Sequence, residues 1–223
     1  MNSRRLAVAV AAVALLCCAF DNWSVRAQEQ SSNAKQSAAA TAPALPHDSH
    51  DGLTIQVDAY TTAARCKEKF GKADPYGVGV LPVDVTLRND STNLIRVDIN
   101  TIQLTVKLSS GHQDLDWMAP EEVAALIVHP AGAGAPTRPR IAGIPIPSGD
   151  KKVDKITQIL EPLTLNSDTI SPQRAVHGFV YFNVNHEMSL ADNAKLYVPD
   201  VMILPSKKPL IFFEVPLVTP VPR

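Results

Sequence analysis

The chain has 223 residues, 45% of them hydrophobic and 19% charged, and its formal net charge is -1. That length suits one folded domain with appendages. The weak, mixed charge excludes a protein that holds nucleic acid or an anionic membrane by electrostatics.

Arg4 and Arg5 precede an apolar run from Leu6 to Phe20, and Val25-Arg26-Ala27 ends in a small residue. A basic start, an apolar middle and a small exit residue define a signal peptide over residues 1–27, cleaved after Ala27. The run is shorter than the roughly 20 residues of a spanning helix, so no membrane span is expected. Ser3-Arg4-Arg5 is only a fragment of a twin-arginine signal. Leu16 before Cys17, and Cys17 before Cys18, stand where lipid attachment requires a small residue. The expected location is therefore periplasmic or extracellular, in soluble form. Losing Arg4, Arg5, Asp21 and Arg26 takes the charge from -1 to -3 and leaves Cys66 as the single thiol. An exported chain with one cysteine holds no internal disulfide, so core packing must supply its stability.

Residues 28–51 are rich in Gln, Ser, Ala and Pro and nearly devoid of large apolar side chains. Such a segment cannot offset its ordering entropy and reads as a disordered tether, with the folded domain at 52–223. There the period is two. Leu53, Ile55 and Val57 alternate with Thr54, Gln56 and Asp58. Val83, Val85 and Leu87 do the same, and after the polar turn 89–93 so do Ile95, Val97 and Ile99. One greasy and one wet side is the signature of an antiparallel sheet. The apolar set then moves to Ile102, Leu104, Val106 and Leu108. Asn100-Thr101 should be a bulge or a crossing between two sheets, and Ser109-Ser110-Gly111 a turn.

Pro120 with Glu121 and Glu122 reads as a helix first turn, with Val123, Leu126 and Ile127 on one face and Pro130 as its stop. A second helix is expected over Val153, Ile156, Ile159 and Leu160. Between them, 129–149 is Pro- and Gly-rich and too long for an ordinary connection. Residues 112–162 thus read as an insertion at one end of a sandwich. Strands resume in "AVHGFVYFNV", where Val176, Phe179 or Val180, and Phe182 are buried, then in "AKLYVPDVMIL" and "PLIFFEVPLV". Pro199 and Pro216 belong at edges or strand ends. The fold class is mainly β: an immunoglobulin-like two-sheet antiparallel sandwich with a small helical insertion.

This order of strand, Asn-Asp-Ser turn, "Ile-x-Val" strand, crossing and "Ile-x-Leu", followed by "SPQRAVHGFVYFNV", resembles exported immunoglobulin-like domains of unknown function of the DUF4352 type. The resemblance spans Val78 to Val184 and continues weakly to Val215. It implies a secreted sandwich and transfers no catalytic residue.

Candidate chemistry is sparse. His47 and His50 in "HDSHD" could hold a divalent metal as an envelope metal-binding protein would, although a tether offers them no supporting shell. Cys66 lies beside Arg65, Lys67 and Lys69, which favour a thiolate, but no base can be placed next to it and a buried, idle thiol is the plainer reading. Asp114 and Asp116 before Trp117 could give two oxygens to calcium, well short of the six it needs; a polar turn is the default. Arg138 and Arg140, set among prolines in the long loop, suit recognition. No nucleophile elbow, phosphate loop or metalloprotease helix is present. The sequence therefore points to an exported, non-enzymatic binding or interaction module without a cofactor. Its partner would be another envelope or extracellular protein, met around Arg138, Arg140, Asp114, Asp116 and Trp117.

Overall fold

The computed structural model describes residues 45–109, 111–130 and 150–218. The signal-peptide segment 1–27 and most of the expected tether lie outside them. The tether is corrected at its end. His47–His50 forms a strand, β1, although it holds no aliphatic residue, because its backbone pairs with β2 (Leu53–Ala59), His50 lying opposite Leu53. Asp51 and Gly52 make the turn, both at positive φ (51° and 82°).

The three alternating runs become β2, β3 (Val80–Asn89) and β4 (Leu94–Val97). β2 and β3 pair so that Ile55 meets Leu87 and Val57 meets Val85, all turned inward and buried. β4 leaves that sheet for a second one, and Asn89 holds the corner. Wholly buried, it donates to the carbonyls of Asn93 (2.7 Å) and Ile170 (3.0 Å) and accepts from Ser91 N–H (3.0 Å) and Ser91 Oγ (2.7 Å). The change of phase is a second crossing. A 3-10 turn at Ile99–Thr101, started by Asp98 accepting from Asn100 N–H, carries the chain back to β5 (Gln103–Leu108).

β5 turns into β6 (Gly111–Met118) as a hairpin, with Leu108 opposite Gly111. The insertion expected over 112–162 is thus corrected: its first part is a sheet strand. The helices follow as the caps indicate. α1 (Ala63–Phe70) was not read from the sequence; α2 (Pro120–Val128) and α3 (Lys151–Leu160) were. Glu122 accepts from Ala119 N–H at the start of α2, and Asp150 from Lys152 N–H at the start of α3. The remaining strands are β7 (Thr169–Ile170), β8 (Arg174–Asn183), β9 (Ala194–Val198), β10 (Val201–Leu204), β11 (Lys208–Pro209) and β12 (Phe213–Pro216). Pro199 falls between β9 and β10, and Pro216 ends an edge strand.

Together they form a mainly β sandwich of two antiparallel sheets with a few short helices. The larger sheet runs β1-β2-β3-β8-β6-β5-β9-β12 and the smaller β11-β10-β4-β7. The larger sheet curls until its edges face each other. There Asp48 accepts from Glu214 N–H (3.3 Å) and His50 stacks on Phe213 with ring centroids 3.7 Å apart. Inward-turned polar residues on an edge strand also deter pairing with other chains.

The interior is filled by β2, β3, β5, β8, β9 and β12 against Ile95, Val97, Ile170 and Val201 of the smaller sheet. A second core lies on the outside of the larger sheet. Val80, Phe179 and Tyr181 meet Cys66 and Phe70 of α1, Val123 and Ala124 of α2, and Val153 and Leu160 of α3. β8 is therefore buried on both faces: Val180 and Phe182 point inward, Phe179 and Tyr181 toward the helices. The helices form a third layer rather than an end insertion.

Candidate functional site

His47 and His50 are three residues apart on a strand, where side chains alternate between faces. His47 pairs with Gln56 on the outer side and His50 with Leu53 on the inner side. His47 contacts the Leu45 carbonyl (3.1 Å), whereas His50 is taken up by Phe213 and Asp51. The strand thus separates the two rings, and no group of three or more metal-ligating side chains is gathered among the described residues. Arg138 and Arg140 lie outside the described residues. The stretch 131–149 that holds them is entered and left at His129 and Asp150, whose side chains meet at 2.9 Å.

Asp114 and Asp116 lie in β6 rather than in a turn. They share its outer face, while Trp117 points the other way, opposite Phe182, and packs on the interior. Each carboxylate receives a hydrogen bond from the neighbouring strand: Thr105 Oγ1 to Asp114 (2.7 Å) and Gln103 Nε2 to Asp116 (2.9 Å). Register then builds rows across four strands. Asp116, Gln103, Tyr197 and Glu214 form one, and Asp114, Thr105, Lys195 and Pro216 the next. Lys195 pairs with Glu214 (2.7 Å) across the rows. Beside them the Phe212 ring packs against Tyr197 with centroids 5.5 Å apart, yet Phe212 is 48% exposed and Ile211 68%.

The outer surface of the larger sheet therefore changes character along its width. At β3 and β8 it is greasy and covered by helices. From β6 to β12 it is polar, cross-linked side to side, and open among the described residues, with two large apolar side chains at its border. Laterally bonded polar side chains hold their positions before a partner arrives and lose little entropy on contact. Exposed aromatic residues are the usual anchors of protein contacts.

The sequence reading missed a second cluster, under α1. Arg65 grips Asp58 with both terminal nitrogens (3.1 and 2.6 Å), donates to the Ala59 carbonyl (3.1 Å), and lies 4.1 Å above the Tyr60 ring. Tyr60, Arg65, Glu68 and Lys69 line an open depression of about 300 Å³. Cys66 faces away, wholly buried, with its thiol donating to the Tyr60 carbonyl (3.3 Å). Burial pushes that thiol up to about 12, with Asp74 adding to the effect and Arg65 opposing it. The adjacent cations do not activate it. The available sequence signal was the i, i+4 spacing of Cys66 and Phe70, which puts both on one helix face.

These features define a β-sandwich whose larger sheet has one half of its outer face covered by helices and the other half open among the described residues. No family model matches the chain, and no curated protein matches it. Among solved structures, a functionally unknown protein from Listeria monocytogenes EGD-e is similar over 69% of this chain and 70% of its own, at 14% identity and a TM-score of 0.32. A likeness that slight carries no argument about fold or function.

Proposed function

We propose that this protein is an exported, non-enzymatic interaction module, akin to the DUF4352-type domains, that meets another envelope or extracellular protein. The contact surface is the open outer face of β6, β5, β9 and β12. One observation carries the reading: the same sheet is sealed by helices over β3 and β8 but presents preset polar rows and the exposed Phe212 and Ile211 over its other half. A core that is already closed elsewhere does not need those side chains exposed for folding. Contact does. Export follows from the basic, apolar and small-residue order of residues 1–27.

A photo-reactive amino acid at Tyr197 or Phe212, introduced in producing cells, tests both parts. The expected result is one discrete cross-linked protein, lost in Asp114→Lys/Asp116→Lys, with the recovered chain beginning at Gln28. The same probe at Arg174, on β8 of the covered sheet half, should capture nothing. Equal capture from both positions, or an unprocessed chain, contradicts the proposal.

A further inference from the structure

Strand register brings two carboxylates face to face. Asp58 of β2 lies directly opposite Asp84 of β3, whose other cross-strand neighbour is Phe179 of β8. Like charges at such positions repel. α1 covers this row and satisfies only one member: Arg65 takes both oxygens of Asp58. Oδ1 of Asp84 is buried and accepts no hydrogen bond among the described residues. A second polar atom of this face is in the same condition, the hydroxyl of the wholly buried Tyr181; Thr164, beside it, donates its own hydroxyl to the Leu160 carbonyl.

The charged and titratable groups facing Asp84 come from each packed element: Asp58 of β2 and Tyr60 just after it, Arg65 and Lys69 of α1, and His177 and Tyr181 of β8. Lys69 holds its ammonium over the Phe179 ring, 5.4 Å from its centroid. Asp84 is half-buried, but a carboxylate with one oxygen shut away from water and from any donor is costly, whereas the protonated acid is neutral and fits. Burial accordingly holds the Asp84 carboxyl above the usual range, reinforced by Asp58 and opposed by His177, Lys69 and Arg65.

We infer that Asp84 is a proton-operated catch for α1: with a proton on it, the helix seats on β2, β3 and β8, and ionisation favours a loosened helix that admits water to the carboxylate. α1 carries the buried Cys66 and Phe70, so loosening uncovers a thiol and an aromatic surface. The sign follows from linkage. The folded-state value lies above the unfolded one, so the proton-linked stabilisation is complete below the ordinary aspartate value of about 3.9 and is lost as pH rises through the raised value.

The test is the rate at which a pyridyl disulfide, which reacts even in acid, modifies Cys66 in the folded full chain between pH 4 and 8. Peptide mapping distinguishes Cys66 from Cys17 and Cys18. Dividing by the rate for the denatured chain at each pH removes the thiol's own ionisation. The expected normalised rate rises from pH 4 to pH 8 as the raised Asp84 carboxyl loses its proton, and Asp84→Asn stays flat at the low-pH level. Asp58→Asn, which frees Arg65, should react faster throughout yet keep the slope. A wild-type profile without slope overturns the inference, as does an Asp84→Asn profile that keeps it. Should Asp84→Asn not fold, carbon-13 titration of the Asp84 carboxyl decides: a midpoint above the ordinary value supports the catch, and one at or below it overturns it.

Discussion

Gly178→Ala should destabilise the protein by about 3 kcal/mol or more, at the upper end of what overpacking costs. A Cβ at this position would stand 2.5 Å from Leu165 N, 2.6 Å from Leu165 Cα and 2.7 Å from the Thr164 carbonyl carbon. All three are backbone atoms, so no rotamer change relieves the overlap. The segment they belong to is itself held. Leu165 N–H donates to the Phe179 carbonyl (3.0 Å), Thr164 bridges Phe179 in parallel, and the Leu165 side chain is buried. Either β8 or the chain leaving α3 must yield, and β8 is central to both cores. Urea denaturation measures the loss, and Gly77→Ala is the control: it has open space around it and no positive φ. Equal midpoints for the two variants would mean that the 164–165 segment is not packed on β8.

The second large effect is expected at Asn89. Asn89→Ala removes four hydrogen bonds from a wholly buried corner and leaves the Ile170 carbonyl, which it reaches across 81 residues of sequence separation, without this donor. Stranded buried polar groups cost about 1–3 kcal/mol each. Part of the corner can reach water, since Ser91 and Asn93 are on the surface, so a total of about 3 kcal/mol is expected by the same rule. Asn89→Asp should lose a similar amount, because a carboxylate cannot donate to Asn93 and Ile170. Equilibrium denaturation reads both; a cost below about 1 kcal/mol, the worth of one ordinary hydrogen bond, would show that Asn89 does not hold the two sheets at this corner.

Much of the fold was legible because one face of most strands is dry and the other wet. The alternation in β2, β3 and β4 and the phase change before Ile102 both read directly, and the latter is a crossing between sheets. β8 read less clearly, with Phe179 and Val180 competing for the inward position. The structure removes the conflict: both are buried, one on each face, and a strand dry on two sides loses its period. β1 was hidden for the opposite reason. "HDSH" has no aliphatic residue to bury and is held through backbone pairing at an edge.

Site legibility followed the same division. Asp114 and Asp116 were picked out by type, and they do share an exposed face, but the strand turns Trp117 away from them. His47 and His50 were grouped by a spacing that suits a helix or a flexible loop, and a strand puts them on opposite sides. The Asp58–Asp84 pair could not be read at all. Asp58 and Asp84 are 26 positions apart, both at ordinary outward positions, and only the β2–β3 register together with the covering helix α1 makes them a half-buried pair.

If half of the outer sheet surface exists for contact rather than for folding, stripping its aromatic border should leave the fold untouched. The decisive measurement is the denaturation midpoint of the Tyr197→Ser/Phe212→Ser double variant. Tyr197 is half-buried and Phe212 exposed, and neither belongs to either core, so the midpoint should match that of the unaltered protein to within about 0.5 kcal/mol. A loss of about 2 kcal/mol or more, the scale of a removed core side chain, would assign both rings to the protein's own packing and leave no free surface for a partner.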